Sequence, residues 1–233
     1  MPPTACPENH QRPINSLLCA AALLAACAPG SHEGEGRRLV PAPAQGPPRT
    51  FVYECNDGYS FIARIEGEKA WLFLPEQTSS LPQVPAGSGA KFSDGLLTFW
   101  NKGDKALFES GKVTHRDCMN NPSRAIWEDA KLRGADFRAV GNEPGWHLEI
   151  KAGEKVVFVG DYGQTRYEFA TPEPLNDQTA RKTTYQVQNA EHELTIVLEA
   201  MLCHDSMSGE PLETTVTAIL DGRTYRGCGR PLH

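Results

Sequence analysis

Three kinds of apolar patterning follow one another along the chain. Residues 15–26 (NSLLCAAALLAA) form an unbroken apolar run of about a dozen positions. Residues 28–50 carry five prolines, four glycines and few large apolar side chains, so nothing there can bury enough surface to fold. From Phe51 onward the text becomes short β-type runs separated by turn signals every several residues. The first group of strand candidates is 51–55, 60–66, 70–74, 90–92, 96–100, 106–109 and 112–117. The second is 137–140, 146–151, 155–159, 165–169, 183–188, 194–201, 215–220 and 224–226. Alternation is clearest in 194–198 (LTIVL) and 216–220. Glycine supplies the positive φ that tight turns need in Asn56-Asp57-Gly58, Ser93-Asp94-Gly95, Lys102-Gly103-Asp104 and Asp221-Gly222. Helical periodicity is never sustained over several turns; 125–133 has room for two turns anchored by Trp127. The predicted class is all-β: a small antiparallel β-barrel over 51–118, a join over 119–135, and a second β-rich domain over 136–233.

Composition narrows the function. The chain has 233 residues and a formal net charge of −6, which leaves a nucleic-acid partner without support. Most of the acidic surplus falls in the second domain, with 15 Asp/Glu against 9 Lys/Arg over 136–233, where it could steer a basic partner. The seven cysteines are an odd count that the front end resolves. Residues 15–26 are too short to span a bilayer and suit the core of an export signal. They end in Leu24-Ala25-Ala26-Cys27, which resembles a bacterial lipobox, the motif whose cysteine receives the lipid and becomes the first mature residue. Cleavage before Cys27 would remove Cys6 and Cys19 and commit Cys27 to lipid, leaving four cysteines for an oxidising compartment. With Ala28 next, the resemblance to Gram-negative lipoproteins implies an outer-membrane anchor facing the periplasm, with 27–50 as a tether. Cys55 and Cys118 flank the first domain and are placed to staple it, which a core of that size needs.

The first domain then shows a pattern in fixed order: Tyr53-x-Cys55, Gly58-x-x-Phe61-x-Ala63, Ala70-x-Leu72-x-Leu74, Leu81-Pro82-x-Val84, Ser88-Gly89-x-x-Phe92, Phe99-Trp100-x-Lys102-Gly103, Ala106-x-Phe108 and Cys118. It resembles the membrane-bound and periplasmic inhibitors of c-type lysozyme. It departs from them at Ala86-Gly87, Phe92 and Lys105, where that family often carries Ser-Ala, Tyr and an acidic residue. The resemblance implies a small barrel whose two loops plug the lysozyme cleft, with Ser88 and Lys102 as the contact residues and Gly87, Gly89 and Gly103 shaping the tips. An ammonium can pair with the ionised carboxylate of a lysozyme cleft, and a hydroxyl can serve a protonated one. Protection of envelope peptidoglycan follows by occlusion, with no chemistry of its own. A hydrolase built on Ser88 and Lys102 lacks the S-x-x-K spacing on a helix and a third group to orient the lysine. The remaining alternative is an envelope ligand-binding or assembly lipoprotein that keeps the barrel without inhibiting lysozyme.

The second domain carries Gly141-Asn142-Glu143-Pro144-Gly145-Trp146, Cys203-His204-Asp205-Ser206-Met207-Ser208-Gly209 and Tyr225-x-Gly227-Cys228-Gly229-Arg230. These resemble an uncharacterised envelope domain of bacterial lipoproteins, which implies an exported β-domain and assigns it no established activity. Cys203 and Cys228 are expected to form the second disulfide. A metal site from Cys203, His204, Asp205, Glu143 and His147 would need closer and more regular spacing, so neither a metal nor a cofactor is expected.

Overall fold

The computed structural model describes residues 46–233. Cys27, the export segment and most of the tether lie outside the described residues. The first element is a closed antiparallel barrel of eight strands in sequence order: β1 (Arg49–Glu54), β2 (Ser60–Glu66), β3 (Lys69–Phe73), β4 (Thr78–Val84), β5 (Ala90–Ser93), β6 (Leu97–Lys102), β7 (Lys105–Ser110) and β8 (Val113–Asn120). Inward positions alternate as expected of a sheet with one buried face: Leu97, Phe99 and Asn101 of β6 point in, while Trp100 and Lys102 are exposed. The core is aromatic, with Tyr53, Phe61, Phe92, Phe99 and Phe108 each at most 3% exposed. The seam is short. β1 meets β8 only through Tyr53↔Asn120 and Glu54↔Met119. The Cys55–Cys118 disulfide lies beside this seam.

Seven barrel strands are legible from the hydrophobic pattern; the eighth, β4, is not. Of its seven residues only Leu81 is buried, and it contains Pro82. Gln83 N–H donates to Glu68 O on the β3 side (2.8 Å), so by alternation the missing N–H of Pro82 points away from β3. On that other side pairing with β5 reaches only Gln83↔Phe92 and Val84↔Lys91, so no ladder bond is lost.

α1 (Pro122–Leu132) follows at once. The side chain of Asn121 caps it by accepting from Arg124 N–H (3.1 Å), with Pro122 in the first turn. Trp127 and Ala130 pack with Ala135, Leu212, Cys228 and Leu232 in a small apolar cluster. On the barrel side, Asp129 accepts from Thr50 Oγ1 (2.7 Å) and from Arg64 (3.0 Å). The join is therefore a packed helix; it contacts β1, which explains why Phe51, Val52 and Tyr53 are all buried.

The rest forms one nine-stranded antiparallel sheet, built from β9 (Phe137–Asn142), β10 (Gly145–Lys151), β11 (Lys155–Gly160), β12 (Thr165–Ala170), β13 (Leu175–Asp177), β14 (Lys182–Gln188) and β15 (Glu193–Glu199), then β18 (Thr214–Leu220) and β19 (Arg223–Pro231). A two-stranded ribbon, β16 (Cys203–His204) with β17 (Pro211–Leu212), lies between β15 and β18 in sequence. The spatial order is β12-β11-β10-β9-β19-β18-β15-β14-β13. The sheet curls, so that Asn189 beyond β14 donates to Glu168 O in β12 (3.3 Å) around a core that includes Leu148, Phe158, Ile196 and Val216. The central strand β19 runs far past the expected 224–226. Its glycines obscure it in sequence, yet they are required: a Cβ at Gly227 would collide with Val140 O and press on the Trp146 ring (2.8 Å).

Candidate functional site

The barrel topology brings the two expected tips to one end. β5 pairs with β6 through Ala90↔Asn101, so the loop 85–89 lies against the end of β6, and the β6–β7 turn lies beside it. Ser88, Lys102 and Gly103 are all exposed there. Three contacts hold this end. Trp100 Nε1–H donates to Ser88 O (2.8 Å), fixing the serine backbone from the outer face. Asn101, 9% exposed, points inward and donates through Nδ2 to Tyr53 Oη (2.9 Å) and Gly103 O (3.4 Å), so a buried amide holds the lysine turn from below. Asn120 N–H donates to Asp104 O (2.7 Å), tying the same turn to the last residue of β8. Burial pushes the Tyr53 phenol up to about 12, so it stays a neutral hydrogen-bonding group at any physiological pH.

The three glycines named from sequence have different duties. Gly89 (φ +69°) passes so close to β6 that a Cβ would collide with Asn101 O and lie 3.2 Å from Lys102 Cβ. Gly103 (φ +62°) has open space around it and supplies the turn conformation. Gly87 meets nothing of its own chain within 4 Å and needs no positive φ. Tyr53, Asn101 and Asn120 were missed as site residues by sequence reading. Asn101 carried a signal all the same: it is a polar residue at an inward-facing position of β6.

Beside Lys102 the outer face holds a shallow depression of about 360 Å³ lined by Trp100, Lys102, Lys105, Leu107, Arg116 and Asp117. It exists because β8 bulges. The register shifts between Ala106↔Cys118 and Phe108↔His115, with Asp117 at φ +51°. Two lysines and an arginine thus flank an exposed indole, a cationic rim on a chain of net negative charge.

Against known proteins, the family model for the membrane-bound lysozyme-inhibitor of c-type lysozyme matches residues 53–117, which lie within the barrel. A "Membrane-bound lysozyme inhibitor of C-type lysozyme" from Yersinia enterocolitica is 42% identical over 91 residues, covering 37% of this chain and 74% of the relative. This chain belongs to that inhibitor family. A second family member, from Escherichia coli, is 28% identical over 78 residues, covering 32% of this chain and 72% of its own length. No solved structure matches. The family motifs in this chain, Ser88-Gly89 and Trp100-x-Lys102-Gly103, lie together at the barrel end.

In the second sheet, the residues once grouped as a possible metal site are not gathered into one. Cys203 is bonded to Cys228. Asp205 accepts from the backbone N–H of Met207 (3.1 Å) and Ser208 (2.7 Å) and from Asn142 Nδ2 (3.0 Å), organising a turn. His147 lines a different cavity, with Glu149, Arg133 and Arg138. Among the described residues no three His, Cys, Asp or Glu side chains are grouped to hold a metal.

Proposed function

We propose that this protein inhibits c-type lysozyme by inserting the Ser88 loop and the Lys102 turn into the enzyme's active-site cleft. The carrying observation is that the family pattern and the three-dimensional placement agree. The fold puts both groups, exposed and braced from behind, at the same barrel end. The cationic rim around Trp100 favours a cleft that presents carboxylates. Lys102 pairs with the ionised carboxylate, Ser88 hydrogen-bonds its neighbour, and substrate is excluded without any bond being made or broken. The relatives' names call them membrane-bound, which agrees with a membrane anchor; in this reading the anchor is a lipid at Cys27 in the outer membrane, facing the periplasm, where the protein protects the peptidoglycan. In this reading the whole chain acts as a binding protein and catalyses nothing.

The test is the loss of turbidity of a cell-wall suspension treated with a c-type lysozyme, with and without the purified protein. Lys102→Ala is expected to weaken inhibition by about 2–5 kcal/mol, because it leaves a carboxylate desolvated and unpaired. Ser88→Ala is expected to cost about 1 kcal/mol. Inhibition constants unchanged in both variants would refute the placement of these residues.

A further inference from the structure

A second cavity, of about 430 Å³, lies where the barrel rim, α1 and the strands β9 and β10 converge. Its walls carry Arg49, Asp129, Arg133, Arg138, His147 and Glu149. The two inner carboxylates each already accept three hydrogen bonds from the protein. Asp129 accepts from Thr50 (2.7 Å), Arg64 (3.0 Å) and Arg133 (2.8 Å). Glu149 accepts two bonds from Arg133 (2.7 and 2.8 Å) and one from Arg138. The donors are not all used. Arg138 is only 6% exposed, and its Nε has no partner. Arg49, on the exposed rim, makes no ion pair among the described residues and lies over the Phe51 ring. His147 makes no side-chain hydrogen bond among them. Four arginines, counting Arg64, face Asp129, Glu149 and the rim residue Asp104, an excess of one positive charge. Ala125 and the exposed Ile126 give the helix side an apolar strip.

We propose that this cavity binds a small monoanionic carboxylate with a short apolar tail, its head group against Arg138, Arg49 and His147. A guanidinium with an unused N–H favours a planar carboxylate, and the acidic neighbours already hold arginine partners of their own. The volume admits an acid of a few carbons or the C-terminal end of a peptide. His147 reports on occupancy. Burial, then Arg138, holds its pKa down to about 4; Arg133 and Arg166 act in the same direction, and Glu149 opposes them. A bound anion would raise that value. Asp104 and Asn120, which brace the Lys102 turn, stand on the cavity rim, but the head-group contacts Arg138, Arg49 and His147 lie outside the tips, so the site does not depend on the inhibitor reading.

The experiment follows the His147 ring signals by NMR in the full chain during titration with butyrate, with N-acetyl-Ala-Ala, and with its C-terminal amide. Saturable shifts with a carboxylate, a raised His147 pKa and silence with the amide are expected. Response to both carboxylates identifies the head group alone as the ligand, and response to the peptide only identifies a chain end. Arg138→Met should weaken binding at least about tenfold, the loss of a charge-assisted bond. Because it also strips a partner from Glu149, Arg49→Ala serves as the second variant, with several-fold weaker binding and unchanged thermal stability. No saturable response to either carboxylate, equal response to the amide, or a solvent-filled cavity indifferent to Arg49→Ala would overturn the proposal.

Discussion

The two ends of this chain's β-structure use glycine for opposite purposes. In the barrel, Gly89 lets the Ser88 loop lie against β6, and the result is to present side chains outward. In the curled sheet, Gly141 and Gly227 let Trp146 sink against the backbone. The ring is 4% exposed and its Nε1–H reaches Arg226 O (3.3 Å). The three motifs of the sheet do meet in space. Asn142 reaches Asp205 and Ser206 (3.0 and 2.9 Å), and Cys203 bonds Cys228. What they build there is packing and turn structure. A glycine-rich motif therefore says that backbone approaches something closely; whether that something is a partner or the chain's own core is decided by which side the neighbours lie on.

The sharpest way to break this contrast is at the staples. Removing Cys55–Cys118, which closes 63 residues, is expected to cost roughly 4 kcal/mol, and removing Cys203–Cys228, which closes 25, roughly 3.5 kcal/mol, in the chain-entropy model. Urea denaturation of the serine variants measures both. The first loss should also weaken inhibition; the second should leave it intact if the tips act alone. Gly227→Ala should cost about 1–3 kcal/mol by overpacking against Val140 O and Trp146, with inhibition retained in the folded fraction. An unchanged unfolding midpoint would remove the claim that this glycine serves the core.

Asn101→Leu tests the other side of the comparison. It leaves the buried Tyr53 hydroxyl without its partner, for about 1–3 kcal/mol of stability, and frees the lysine turn, so inhibition should fall too. Trp100→Phe keeps an aromatic side chain but removes the pyrrole half of the indole, and with it the donor to Ser88 O. About 1 kcal/mol of inhibition, with little change in stability, is the expected loss.

The smallest effect is a pH dependence confined to the sheet side. The folded pKa of His147 lies near 4, below its ordinary value near 6.5, because burial disfavours the charged ring. The unfolded chain thus binds the proton first. Stability from this group is complete above about pH 6.5 and is lost as the pH falls toward 4. Burial pushes the Asp129 and Glu149 carboxyls up, but Arg133, together with Thr50 and Arg64 at Asp129 and with Arg138 at Glu149, holds both below the ordinary carboxylate range, so their contribution is lost at still lower pH. Thermal melts of wild type and His147→Gln between pH 7 and 4 should diverge in slope; parallel curves would show that the imidazole is not buried as described.

Much of this was legible in the chain itself. Short β-type runs between turn signals marked seven of eight barrel strands, because inward side chains carry their own hydrophobic signature. The all-β class and the turn glycines were local information of the same kind, and the family pattern around Ser88 and Lys102 was equally visible. The strand β4 escaped because only Leu81 of its residues is buried, and most of β19 escaped because its glycines carry no side chain to pattern. The partners of Asn101, Asn120 and Arg138 could not be read, although Asn101 was visible as a polar residue at an inward position. Each residue depends on a partner far along the chain, such as Tyr53, 48 residues before Asn101. The sequence determined which groups point inward or outward and which turns are tight. Only the tertiary structure decided which outward groups share one barrel end and which buried donors find a partner, since a pattern of burial fixes a face and never the neighbour across it.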